Sequence, residues 1–366
     1  MIGIGNDTNI IIKLGTSDVE IYLGSEKVYP NISHDYSLDY FTIEALENGY
    51  IYMDNRINSY EIALNDSLEV WNSTTFPDTN QIYLTTGDKL HIRCQGTPKV
   101  STTIDGNNQT YNGIGTFNTT FRFKAYGNIM SLLYGGNFVG QTTFPSIDLY
   151  KTNDGTLVAQ NYNKEYFLKL LSGNTNLVDA RNLVLPVTTL ANGCYQNMFI
   201  RCTSIVNAPA LPATTLANSC YYGMFAYCSS LTTAPELPAT TMVQECYSTM
   251  FYECTNLVTA PSILPATTLA NYCYSQMFRG CTSLTTAPQL PATALSLYSY
   301  NNMFNGCTNL NYIKAMFTTT PSSSYTSSWV NGVAASGTFV KNAAATWNVS
   351  GNSGIPSGWT VETATE

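Results

Sequence analysis

Charge is what this sequence has least of. Only 11% of its 366 residues are Asp, Glu, Lys or Arg, far below the usual quarter. Basic residues are the scarcer kind, 16 against 24 acidic for a net charge of −8. Nucleic acid and anionic membrane both demand basic patches, so neither is an expected partner. Histidine occurs twice, as His34 and His91, which leaves little for acid–base catalysis at neutral pH. No stretch approaches the ~18 apolar residues of a membrane-spanning helix. The opening MIGIGNDTNIIIKLGTSDVE lacks a basic n-region, an apolar h-region and a small-residue cleavage site. With Met1 as the start, export by a signal peptide is not expected. The same stretch carries no phosphate-binding or dinucleotide fingerprint, and its glycines read as turns.

Hydroxyls, amides and aromatics fill the space that charge leaves. Thr, Asn and Ser are abundant and there are 26 Tyr. Such a surface suits neutral polar partners such as glycans, or protein contacts, although a β-rich extracellular composition would look the same. The length allows two or three domains.

Residues 1–30 read as short strands separated by turns at Gly15–Asp18 and Gly24–Glu26. This β element is too short to own a core and is expected to attach to something else, with Pro30 and NISHDYS as a linker. Residues 38–125 hold the candidate strands YFTIEAL, GYIYM, SYEIAL, SLEVW, QIYLT, KLHIRC and TFRFKA, with Asn65-Asp66 as a hairpin tip. Short strands at this spacing predict a β-sandwich of immunoglobulin-like type. The sequons at Asn72 and Asn118 are ones that an Asn-rich composition generates by chance.

From 126 to 315 the chain repeats itself. A half-unit at 166–184 precedes full units beginning at Leu185, Leu211, Leu237, Leu264 and Leu290. A period of about 26 residues predicts a solenoid. In the second unit Cys220, Tyr221, Met224, Phe225 and Cys228 stand at i, i+1, i+4, i+5 and i+8. At ~100° per residue they share one stripe of a short helix, leaving Tyr222, Gly223, Ala226 and Tyr227 outward. Leu231, Ala234 and Leu237 supply inward positions of an extended segment that Pro235 and Pro238 keep from becoming helix. Neighbouring coils can pair such segments as a parallel sheet with roughly 4.8 Å between strands.

Blocks such as CYYGMFAYCSSLTTAPELP and CYSQMFRGCTSLTTAPQLP resemble the BspA-like branch of leucine-rich repeats. GNIMSLLYGGNF, the repeats and the closing GTFVKNAAATWNVSGNSGIPSGWTV together resemble virion proteins of crAss-like phages of gut Bacteroidales. KLGTSDVEIYLGSEKVYP is similar to N-terminal segments of phage virion proteins. With the leucine-rich-repeat resemblance for the repeats, the expected whole is a mainly β protein with short helices: an N-terminal β anchor, an immunoglobulin-like sandwich, an α/β leucine-rich-repeat solenoid, and a cap at 316–366 in which Trp329, Trp347 and Trp359 cover the last coil.

Eight of the ten cysteines form Cys-x7-Cys pairs, Cys194/Cys202, Cys220/Cys228, Cys246/Cys254 and Cys273/Cys281. Eight helical residues span about 12 Å, beyond the ~7 Å that a disulfide bridges, and zinc prefers closer spacing. Ser299 replaces the first cysteine of the fifth unit, leaving Cys307 alone, and Asn174 replaces the second in the half-unit. Buried free thiols are expected, with no metal and no cofactor. Between Leu185 and Ile313 the charged residues are Arg201, Glu236, Glu245, Glu253 and Arg279. Glu245 and Glu253 lie on one expected helix, so the opposed carboxylates of a glycosidase are not expected, and no residue is assigned to catalysis. The candidate binding face is Arg201, Tyr222, Tyr227, Tyr252 and Arg279, since tyrosine joins an apolar face to a polar tip.

The expectation is a non-enzymatic phage virion surface protein, a fibre or decoration made in the host cytoplasm. It would hold other virion proteins through residues 1–30, form a homo-oligomer, and contact host-surface or gut glycans by avidity. The alternative is a bacterial cell-surface adhesin of the same repeat family.

Overall fold

The computed structural model describes residues 34–53, 60–65, 67–68, 70–74, 81–95, 103–104, 110–111, 114–145, 149–151, 157–159 and 165–364, with the strand segments 10–14, 19–23 and 26–27. The chain is mainly β. Its described residues hold one α-helix of four residues, α1 (Ser131–Tyr134), and two single 3-10 turns. None of these helices is long and apolar enough to cross a membrane.

The N-terminal element is an antiparallel meander of β1 (Ile10–Leu14), β2 (Val19–Leu23) and β3 (Glu26–Lys27). Its turns lie outside the described residues. The expected linker is in part seated: Ser37 O accepts from Asn128 Nδ2 at 3.0 Å, and Tyr36 packs edge-on against Tyr126.

The next domain draws on β4 (Phe41–Ala45), β5 (Gly49–Met53), β6 (Tyr60–Leu64), β7 (Asn72–Thr74), β8 (Ile82–Leu84) and β9 (Lys89–Cys94). A two-stranded ribbon of β10 (Thr103–Ile104) and β11 (Thr110–Tyr111) precedes β12 (Phe117–Thr119) and β13 (Phe123–Asn128). The described residues of SLEVW, 67, 68, 70 and 71, form no strand, and the pairing of β6 begins after them, at Asn72. One sheet runs β13-β4-β9-β6-β7 and the other β12-β5-β8. Alternate residues of β9 are buried, Leu90, Ile92 and Cys94, as a one-sided sheet requires. Phe41 of one sheet stacks on Phe117 of the other at 5.4 Å, so the two share a core.

β13 spans residue 125, where the sequence reading divides sandwich from repeats. It pairs antiparallel with β4 and, on its other edge, parallel with β16 (Leu177–Asp179) and β17 (Leu183–Val184). Between them β14 (Leu149–Lys151) and β15 (Leu157–Ala159) form a separate hairpin. Ile114 N–H and Phe117 N–H reach Tyr166 O and Leu170 O. Residues 114–128 are therefore the rung on which the repeats are stacked. One hydrophobic cluster runs from Phe41 to Trp359.

The repeats are coils in which the expected helices are absent. Each Cys-Tyr-x-x-Met-Phe-x-x-Cys block is a ribbon of overlapping turns. Gln196, Met198, Ile200 and Cys202 donate N–H to the carbonyl three residues back. The residues between them, Tyr195, Asn197, Phe199 and Arg201, donate instead to Cys220, Tyr222, Met224 and Ala226 of the next coil at 2.8–3.0 Å. A helix would use every N–H within its own turn. Here half of them tie coil to coil. Every fourth residue has positive φ, as at Gly193 (60°), Asn197 (55°) and Arg201 (62°), then Ser219, Gly223 and Tyr227, the geometry demanded at the third residue of a type II turn. The stripe i, i+1, i+4, i+5, i+8 has a period of four, which this ribbon matches more closely than a 3.6-residue helix.

The extended segments pair only as isolated parallel bridges, among them Thr189 to Thr215, Thr233 to Thr259 and Ile263 to Gln289. Proline explains this: from Leu211 on, each unit repeats a Pro on either side of the inward Leu, and Pro donates no ladder bond. Where proline is missing the strands are continuous. At the C-terminal end β18 (Tyr312–Ala315), β19 (Thr338–Lys341) and β20 (Thr360–Thr363) form a parallel sheet. The ladder itself carries on into the tail, with Phe304 N–H on Trp329 O at 2.8 Å. The indole N–H groups of Trp329, Trp347 and Trp359 bond to Gly354 O, Phe317 O and Ala334 O.

Candidate functional site

The ribbon places equivalent residues of successive coils above one another. Inward, this stacks Phe199, Phe225, Phe251, Phe278 and Phe304 at 5.2–5.8 Å. Beside them stack Tyr195, Tyr221, Tyr247, Tyr274 and Tyr300 at 5.7–6.0 Å. Outward, the same stacking brings four of the five predicted residues into one row. Arg201 Cζ lies over the Tyr227 ring at 5.4 Å, Tyr227 meets Tyr252 edge to face at 5.2 Å, and Arg279 Cζ lies over the Tyr252 ring at 5.6 Å. Tyr227 is 38% exposed, Arg201 is exposed, and Tyr252 and Arg279 are half-buried. Burial pushes the Tyr252 hydroxyl above its ordinary value; Arg279 opposes this, and Tyr227 and Glu253 add to it.

Tyr222 does not join the row. It shares its repeat position with Gln196 and Ser248, several residues earlier along the ribbon, and is half-buried. Two further positions read as outward are buried, Gly223 and Ala226, as is Ser248, which occupies the position of Tyr222 one coil on. A ribbon of turns lies flat against its neighbours, so the side chain of Asn197 covers Gly223 and Ser248 Oγ donates to Ser275 O across the coil gap. The sequence reading also missed a second aromatic pair, Tyr272 and Tyr298 at 5.0 Å. Their shared position just before the first Cys or Ser of each unit was the available signal.

The carboxylates of the stack serve as staples. Glu236 accepts from Ser262 N–H and Oγ, and Glu245 from Ser219 Oγ, each on the adjacent coil. Glu253 lies over Gly280, where a Cβ would stand 2.5–2.7 Å from the carboxylate. Among the described residues no carboxylate comes within ion-pair distance of Arg201 or Arg279. The contrast is Arg93 of the two-sheet domain, which is paired to Glu61 at 2.6 Å and stacked over Trp71 at 4.0 Å.

All ten cysteines are buried thiols outside any disulfide. The second cysteine of each unit has a task beyond filling space: its thiol donates to a backbone carbonyl one coil back, Cys202 to Leu171 O at 3.0 Å, and Cys228 to Phe199 O and Cys254 to Phe225 O at 3.1 Å. Asn174 takes the same role with its amide, reaching Leu171 O and Phe117 O. Burial pushes the thiols of Cys194, Cys246 and Cys254 up to about 12. The hydroxyls of Tyr195, Tyr221, Tyr247 and Tyr274 are buried with no hydrogen-bond partner, as is that of Ser299.

His34 pairs with Asp39 at 2.7 Å. His91 Nδ1 is 2.8 Å from Thr42 Oγ1; since that hydroxyl donates to Tyr40 O, the ring nitrogen is the donor. Neither histidine adjoins the row. Among the described residues no group of three or more His, Cys, Asp or Glu could hold a metal ion. Compared with known proteins, the chain matches no family model, no curated protein and no solved structure.

Proposed function

We propose that this chain is a non-enzymatic surface protein of a phage particle that displays an adhesive row on a rigid stack. In this reading residues 1–30 attach the chain to other virion proteins. The two-sheet domain is an immunoglobulin-like spacer, the coils from 126 to 315 are a BspA-like leucine-rich-repeat solenoid, and several copies give avidity toward host-surface or gut glycans. The carrying observation is the row Arg201–Tyr227–Tyr252–Arg279, four side chains from four successive coils in mutual contact. Supporting it is the alternation of N–H groups between turn and neighbouring coil, which fixes the row without help from a ligand.

Two measurements test the reading. The full chain carrying Tyr227→Ser with Tyr252→Ser should lose adhesion to host cells and to immobilised mucin-type glycans while keeping its melting temperature. Tyr222→Ser, outside the row, should change neither. Equal adhesion in all three proteins would end the assignment of the row. A chain lacking residues 1–30 should be folded yet missing from purified particles; its incorporation would move attachment elsewhere.

A further inference from the structure

We infer that the row takes an acidic oligosaccharide, one bearing carboxylate or sulfate groups, and holds it by hydrogen-bond donation rather than by stacking sugars on tyrosine faces. This rests on the adhesive reading above and names its ligand class.

Between Leu185 and Ile313 the chain has two basic residues, Arg201 and Arg279. They lie three coils apart, yet both come to the ends of one tyrosine pair. Two other arginines are matched, Arg93 to Glu61 at 2.6 Å and Arg181 to Asp179 at 2.9 Å, whereas among the described residues the exposed Arg122 is not. Arg201 and Arg279 have no carboxylate at that range among the described residues. The Arg279 guanidinium donates to the neutral Gln276 Oε1, at 3.1 Å. Two guanidinium groups are thus held in place by cation–π contact with their charge left unneutralised.

Three of the four tyrosine faces are correspondingly covered. Each ring has one face beneath a guanidinium, and the two rings pack edge to face. What remains for a ligand is a single ring face together with ring edges, two phenol hydroxyls and guanidinium N–H groups, chiefly a line of donors with cationic ends. Its complement is a chain with anionic groups spaced by neutral oxygens, which describes an acidic saccharide. An acidic peptide would place charge where the row offers only phenols. Charge-assisted bonds from arginine to carboxylate or sulfate are the strong member of such a set. Glu253, whose carboxylate lies over Gly280 next to Arg279, is the one negative group at the margin and works against an anionic ligand. The net charge of −8 restricts attraction to short range, within about a Debye length of the two arginines.

The test is calorimetric titration of the full chain with oligogalacturonate and with dextran sulfate, against neutral dextran and poly-glutamate. At least one acidic saccharide should bind, and which one identifies the anionic group. Arg201→Gln with Arg279→Gln should lower that affinity about tenfold or more with no change in melting temperature. Glu253→Gln should raise it a few-fold, and Arg181→Gln should leave it alone. Binding of neither acidic saccharide, equal binding of neutral dextran, tighter binding of poly-glutamate, or full affinity in the double arginine variant would each overturn the inference. Failure here is separable from failure of the adhesive reading. Cell adhesion lost with Tyr227→Ser/Tyr252→Ser but kept in the arginine variant removes the acidic ligand alone. A chain that binds oligogalacturonate through both arginines but no cell keeps the ligand and removes the host-adhesion role.

Discussion

In the two-sheet domain a strand residue finds its partner far off along the chain, and each strand at a different distance: Phe41 lies opposite Ile92, and Phe123 opposite Ala45. In the coils the partner is always one repeat on, so Phe199, Phe225 and Phe251 make the same bond in turn. The first arrangement gives every buried side chain its own surroundings. The second gives every buried side chain a copy of itself above and below, and whatever is costly or useful about one residue is multiplied down a column. The domain should therefore respond to perturbation site by site, and the stack column by column.

Alkaline pH should separate the two regions most widely. Burial raises the thiols of Cys194, Cys246 and Cys254 from 9.0 to about 12, and those of Cys202, Cys220, Cys228, Cys273, Cys281 and Cys307 in the same direction. An acid whose folded value is raised contributes its stability in full below the unfolded value and loses it as pH climbs toward the folded one. The window is thus pH 9 to about 12. Each pH unit within it removes about 1.4 kcal/mol per thiol. The two-sheet domain has one cysteine, Cys94. Calorimetric scans should show the stack's transition falling steeply above pH 9 while the domain's moves less. A melting profile flat to pH 11 would show that the thiols are not buried.

Phe251→Ala comes next, at about 3–5 kcal/mol, since the ring lies between Phe225 at 5.7 Å and Phe278 at 5.5 Å. Because repeat arrays are bound mainly to their neighbours, hydrogen exchange should quicken in the flanking coils while β4 and β9 stay protected. Uniform loss of protection would make the two regions a single cooperative unit and dissolve the contrast.

Two glycines sharpen it further. Gly127 has φ +81°, and a Cβ there would run into the backbone carbonyl of Tyr40, which is held in the sheet and cannot yield. Gly223 has φ +60°, and its Cβ would meet the side-chain amide of Asn197, which can swing away. Gly127→Ala should cost about 3 kcal/mol or more and Gly223→Ala about 1 kcal/mol, read from urea midpoints. Equal costs would mean that the coil surface is as unyielding as the sheet.

The two regions also differ in what the sequence disclosed. Alternation in KLHIRC located β9 to the residue, because a one-sided sheet writes its burial in every second position. The repeat declared which residues stack, since Cys220, Tyr221, Met224, Phe225 and Cys228 recur while their neighbours vary. It was misread as helix because the helical and four-residue templates overlap over nine positions. Glycine at 193, 223, 280 and 306, always on the positive-φ beat, held the correct answer. The double use of β12 and β13 was not legible, for a strand's second partner leaves no mark on its own residues. The row was legible for Tyr227, whose exposure follows from its beat. Tyr222 shows the limit: lateral packing of turns, invisible in one unit, decides which outward residues meet.

The smallest effect is a change of sign. Tyr60 Oη donates to Ile114 O at 3.2 Å in the two-sheet domain. Tyr247 Oη has no partner. Its ring lies 5.7 Å from Tyr221 and 5.9 Å from Tyr274, with planes within 5° of parallel. Parallel stacking repeats the hydroxyls at about the ring spacing, beyond the ~3 Å reach of an O–H···O bond, so the phenols cannot satisfy one another. A made hydrogen bond contributes about 1 kcal/mol net, whereas an unmade buried one costs at least as much. Tyr60→Phe should therefore destabilise by about 1 kcal/mol, and Tyr247→Phe should stabilise by a similar amount with its ring stack intact. Burial raises the Tyr247 hydroxyl far above its ordinary value, so this variant should also resist alkaline unfolding slightly better than the parent. If Tyr247→Phe instead loses as much as Tyr60→Phe, the column of phenols is hydrogen-bonded in solution. The interior of the stack would then be wet where the domain's is dry.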